Sequence, residues 1–230
     1  MLIQQTTALP IGAPAGESKP LLRGWLHAVA ALGAIIITVA LCYRSYGDTP
    51  RLISMLVYGL STIALYAGSA VYHIGRWKGV WHQRLRAIDH TNIHLQIAGT
   101  YTPLCFNLLS GWLRVALLAS IWTLALLGIL RVVFRPPMPR WSTTLVYMAM
   151  GWLAVPALPV LVTAVPLGAI EGLGAGGLLY TVGALVYARR RPNFFPRVFG
   201  YHELFHLLVV VGGLLVFGVV WTYAVTYPRV

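Results

Sequence analysis

Seven apolar runs alternate with short polar segments rich in arginine along this chain. A helix needs about 20 apolar residues to cross the hydrocarbon layer of a bilayer. The pattern therefore predicts seven spanning helices, near residues 24–43, 52–74, 88–109, 113–133, 143–164, 168–188 and 203–225. Residues 1–22 are polar and rich in Pro, Gly and Ala, which predicts a flexible tail. They show no basic stretch followed by a short apolar core and a cleavage site, so no cleaved signal peptide is expected. Residues 23–230 then form one transmembrane domain. The fifth run carries Pro156 and Pro159 and should kink or end early there. The sixth carries Gly172, Gly176 and Gly183, and Gly172-x3-Gly176 predicts close helix packing.

Composition agrees with this all-α integral membrane reading. Charged residues make up 10% of the chain, where a soluble domain carries about 25%, and the mean hydropathy is +0.75. A net charge of +12 raises the question of a nucleic-acid partner. The lysines and arginines sit at the ends of the apolar runs, so they read as orientation signals and no nucleic acid is expected. Thirteen of them fall before helix 1 and between helices 2–3, 4–5 and 6–7, against four on the other side: Arg44, Arg51, Arg114 and Arg229. This predicts a cytoplasmic N-terminus and an outside C-terminus. Cys42 and Cys105 have no metal-ligand spacing and read as buried apolar residues.

Polar exceptions to the apolar pattern gather on one side. His27 opens helix 1, Ser69 and His73 close helix 2, and His82 lies in the 2–3 loop. Asp89, His90 and His94 open helix 3, and His202, Glu203 and His206 open helix 7. Ionisable groups inside membrane segments read as functional. The pattern places a polar pocket at the cytoplasmic ends of helices 2, 3 and 7. His202 and His206 lie one helical turn apart, the spacing that gives two imidazoles to one metal. A third ligand is open between His73, His90, His94 and His27, and His90-x3-His94 is a rival pair. His202-Glu203-x-x-His206 also matches the H-E-x-x-H pattern of zinc proteases, where the Glu is a general base. Against that, a carboxylate at a helix start is favoured by the helix dipole alone.

The motifs Ser69-Ala-Val-Tyr-His73, Arg86-Ala-Ile-Asp89-His90, Ile97-Ala-Gly-Thr-Tyr-Thr-Pro103, Met150-Gly-Trp152, Tyr180-Thr-Val-Gly183, Tyr187-Ala-Arg189 and Phe199-Gly-Tyr-His-Glu-Leu-Phe-His206 occur in order. Together they resemble the hemolysin III family, the bacterial branch of the progestin and adipoQ receptor (adiponectin-receptor-like) superfamily. Alkaline ceramidases are similar in the same polar residues. The resemblance implies zinc held by His73, His202 and His206, with Asp89 beside the zinc water and Ser69 one turn before His73. It also implies a bacterial inner membrane. Family members often carry acidic and Asn residues ahead of the helix 1 histidine; here the run is Lys19-Pro-Leu-Leu-Arg23-Gly-Trp-Leu-His27, with Glu17 well upstream.

The chemistry expected from this set is zinc-dependent hydrolysis of a lipid amide or ester, with Asp89 as proton acceptor and Ser69 as hydrogen-bond partner. The substrate would be a membrane lipid drawn from the cytoplasmic leaflet. Two other readings stand beside it: a sensor or regulator of membrane state with structural zinc, and a membrane-perturbing cytolysin. A channel is disfavoured, because the outer half has few polar residues to line a path; Asn92, Gln96, Thr100 and Thr102 read better as interhelical hydrogen-bond partners.

Overall fold

The computed structural model describes residues 19–228, and within them the fold is helical. Helices α1 (Trp25–Arg44), α2 (Thr49–Ile74), α3 (Gly79–Leu108) and α4 (Gly111–Phe134) follow one another through short turns. Next come α5 (Arg140–Gly151), a single 3-10 turn at Val155–Ala157 and α6 (Leu158–Ala164). Helices α7 (Leu167–Arg189) and α8 (Tyr201–Val219) complete the order, and α8 ends in a widened turn over Val220–Ala224. Short connections force sequence neighbours antiparallel, so α1 packs on α2, α2 on α3, α3 on α4 and α7 on α8.

Among the described residues, six segments are long and apolar enough to cross a membrane: α1, α2, α4, the broken segment Arg140–Ala164, α7 and the segment Tyr201–Ala224. Helix α3 has the length, at 30 residues, but it carries too many polar side chains to join them. It also begins nine residues before the apolar run does. The run marks only the membrane-immersed part, and the helix continues through its arginine-rich first turns. His82 is therefore helical instead of lying in a loop, and its Nε2 is 3.4 Å from the Tyr72 hydroxyl. His94 is likewise midway along α3 and not at its start.

The break in the fifth run falls where proline chemistry puts it. Pro156 has no N–H, and its ring clashes with the carbonyl four residues earlier, at Trp152. Helix α5 stops at Gly151, with Trp152 as its cap. Close packing at the glycines of α7 is also present. A Cβ added at Gly176 would stand 3.0 Å from Val216 Cγ2 and 3.2 Å from the Gly212 carbonyl, and one at Gly172 would stand 2.5 Å from Val219 Cγ2. These glycines draw α8 against α7 and fix where its histidines stand. Cys105 is buried, whereas Cys42 is only partly so, and both are free thiols.

Of the expected tail, residues 1–18, including Glu17, lie outside the described residues, as does Arg229. Residues 19–22 are fastened down. Leu21 and Leu22 donate backbone hydrogen bonds to the Arg197 and Val198 carbonyls at 3.0 and 3.2 Å. Lys19 Nζ donates to the carbonyls of His73 and Gly75 at 3.2 and 2.9 Å. Gly24, at φ +87°, turns the chain into α1 against His73 and Ile74, where a side chain would clash.

Candidate metal centre

The start of α8 is set by its own sequence. Gly200 precedes the helix, and Glu203 Oε2 accepts the Gly200 N–H at 2.8 Å, satisfying a donor that the helix leaves orphaned. The other Glu203 oxygen accepts from Arg23 Nε, and the carboxylate is buried. Both oxygens are engaged, so Glu203 is a helix-start and ion-pair residue. Nothing in this arrangement leaves it free to act as the general base of a protease.

With α8 started at Tyr201, His202 and His206 project from one face toward α2. His73, in the last turn of α2, meets them. The His202 and His73 Nε2 atoms are 3.2 Å apart, and one ligand atom from each of His73, His202 and His206 lies within 4.8 Å of the others. Two nitrogens on one tetrahedral zinc, with bonds of roughly 2.0–2.1 Å, stand about 3.3 Å apart. The donor set fits a metal ion of that kind. The alternative for the His202–His73 contact is one imidazole N–H donating to the other nitrogen, and that leaves His206 outside the bond.

Asp89 enters from α3. Its Oδ2 is 3.7 Å from His73 Nε2 and 3.9 Å from His90 Nδ1. Ser69, one turn before His73, is buried beside that carboxylate. His206 is closed off at 3% exposure, whereas Asp89 and His202 each keep 9% and the side chain of His73 keeps 11%.

The remaining histidines separate cleanly. His90 Nδ1–H donates to the Arg86 carbonyl at 2.8 Å. His94 is buried away from the cluster, with Nδ1 3.3 Å from the Met150 sulfur and its ring against Tyr147. His27 belongs to the site. Its ring stacks on His206 at a centroid distance of 3.8 Å and an interplanar angle of 2°, and neither ring nitrogen has a hydrogen-bond partner among the described residues. Spacing left His27 one of four candidates for the third ligand; its contact with His206 depends on where α1 crosses α8, which no local spacing encodes. It missed the aromatic wall altogether. Tyr187 faces His202 at 5.8 Å, and the Tyr147 hydroxyl donates to the His90 carbonyl at 3.2 Å.

A family model described as "Haemolysin-III related" matches residues 16–217 of the chain. The chain is 32% identical over 209 residues to the "Hemolysin-3 homolog" of Bacillus subtilis (strain 168), a match covering 89% of this chain and 91% of that one. It is 33% identical over 196 residues to "Hemolysin-3" of Bacillus cereus, covering 84% of each. A human protein named "Monocyte to macrophage differentiation factor" is 26% identical over 211 residues, covering 89% of this chain and 84% of its own.

Proposed function

Since the chain belongs to the haemolysin-III-related family and is a multi-pass integral membrane protein, set by its Bacillus relatives in the bacterial plasma membrane, we propose that it is a zinc-dependent hydrolase of a membrane lipid amide or ester. The observation that carries this reading is the convergence of the His73, His202 and His206 nitrogens beside the Asp89 carboxylate. In this reading α3 is the seventh crossing, the N-terminus is cytoplasmic and the C-terminus outside. The charge distribution and the antiparallel order of the helices support that arrangement.

His73, His202 and His206 would hold the ion. Bound there, zinc supplies a Lewis acid and brings the pKa of a water toward about 7. Asp89, beside His73, accepts a proton from the attacking water and returns it to the leaving amine or alcohol. Ser69 holds the carboxylate in place and can donate to the developing oxyanion. His27, stacked on His206, fixes that ring and excludes water from behind it. The lipid carbonyl would reach Asp89 from the leaflet on the histidine side.

One observation favours a second reading, a membrane-state sensor with structural zinc. Asp89 stands close enough to His73 to become a fourth ligand and close the site. The names of the Bacillus relatives suggest lysis, a third reading, to be tested with purified protein on red cells. The deciding experiment measures metal content and hydrolysis of lipid amides and esters together. The proposed enzyme holds about one zinc per chain. Asp89→Ala keeps that zinc and loses about 100- to 10,000-fold in turnover. Zinc retention with unchanged turnover would remove Asp89 from its role, and loss of zinc in Asp89→Ala would favour the closed, structural site.

A further inference from the structure

The cations beside the histidine cluster are not equivalent. Arg23 is paired with Glu203, and Lys19 is spent on the carbonyls of His73 and Gly75. Arg140, the first residue of α5, is different. Its Nη1 donates to the Tyr201 hydroxyl at 3.1 Å, and its guanidinium carbon lies over the Tyr187 ring at 5.3 Å. Tyr201 adjoins His202 in sequence, and Tyr187 packs its ring against the same histidine. Arg140 is exposed, lies within electrostatic reach of His202 and His90, and has no carboxylate partner among the described residues. Arg86, on α3, lies within electrostatic reach of the same Tyr187. Trp141, 64% exposed, follows Arg140, as an aromatic at the headgroup level of a bilayer does.

An arginine held by a hydroxyl and an aromatic face has its orientation fixed while most of its N–H donors stay available. That is a pre-organised acceptor site for a phosphate, which a guanidinium binds in bidentate fashion. We propose that Arg140, assisted by Arg86, is the phosphate-binding subsite of this centre, and that it takes the phosphate of an anionic phospholipid from the surrounding leaflet. The proposal rests on the lipid-hydrolase reading and names its substrate class. The short glycerol bridge between phosphate and ester would carry the carbonyl from Arg140 inward toward the histidine cluster. The lipid source is favoured over free phosphate because the anchor stands beside an interfacial tryptophan, on an arginine-rich rim that faces a headgroup layer.

The test is binding of dioctanoyl phosphatidate to the full chain in an uncharged detergent, followed by microscale thermophoresis. Arg140→Gln should weaken binding about tenfold, and Arg140→Lys should lose part of that. Tyr201→Phe, which removes only the hydroxyl, should give a smaller loss. Arg135→Gln, on the same rim but away from the site, should bind like wild type, and dioctanoylglycerol should not sense Arg140 at all. Millimolar inorganic phosphate should fail to displace the phosphatidate. Unchanged binding by Arg140→Gln, an equal loss in Arg135→Gln, or displacement by inorganic phosphate would each overturn the proposal. Binding needs neither turnover nor metal. A chain that binds phosphatidate through Arg140 and hydrolyses nothing would therefore defeat the enzyme reading and leave this one standing.

Discussion

Helix α2 carries a polar cluster at each end, and the two are built differently. Near its start, Arg51 donates to the Asn107 side chain at 3.4 Å, to the Tyr227 carbonyl at 2.6 Å and to the Val225 carbonyl, with Asp48 3.5 Å away. Asn107 in turn donates to Ser54 and to the Pro103 carbonyl at 3.0 and 2.8 Å. Donors and acceptors answer one another within the chain. Near its end, His73 meets two other imidazoles nitrogen to nitrogen, and His27 adds two buried nitrogens with no hydrogen-bond partner among the described residues. The 22 residues from Arg51 to His73 cover about 33 Å of helix, close to the roughly 30 Å hydrocarbon thickness. Both clusters therefore stand near an interface, in similar solvent. A network that satisfies itself ties helices together; one that brings three imidazoles nitrogen to nitrogen could instead hold a metal ion.

This contrast can be broken in order of expected effect. His206→Ala should take metal content from about one ion per chain to none, read by elemental mass spectrometry. A chelator should then lower the melting temperature of wild type and leave that of the variant unchanged. If both chains melt alike with and without chelator, the two ends do not differ as described. Arg51→Ala should cost roughly 2–3 kcal/mol of stability, because it orphans two carbonyls and an amide, while metal content stays at the wild-type value. Loss of metal in that variant would show that the two ends are coupled. Gly176→Leu should cost about 1–3 kcal/mol by pushing α8 from α7. Because α8 carries two of the three histidines, metal affinity should fall with it, in contrast to Arg51→Ala.

How much of this was legible beforehand follows from what each signal measures. Apolar runs report immersion, so they located the spans well and misjudged α3, whose first turns extend beyond the apolar layer. That error put His82 in a loop and His94 at a helix start. Helical spacing is local, so His202 and His206 could be paired from sequence, and Pro156 could be read as a break. The third imidazole could not be chosen that way, because His73 arrives through the crossing of α2 and α8, 129 residues apart in the chain. The resemblance to known relatives proposed it. His27, Tyr187 and Arg140 each enter the site by tertiary contact and carry no spacing signal at all.

The hydrogen bonds from Leu21 and Leu22 to Arg197 and Val198 have a temporal meaning. Residue 21 is made well before residue 198, so this clasp can close only after the later segment has been made. The same holds for Arg23 with Glu203 and for His73 with His202 and His206. Until α8 is inserted, His73 waits at its interface without His202 and His206, and Arg23 lacks its Glu203 partner. The three imidazoles therefore cannot converge on a nascent chain, and a ribosome that stops before residue 202 leaves a membrane-inserted product with no such cluster.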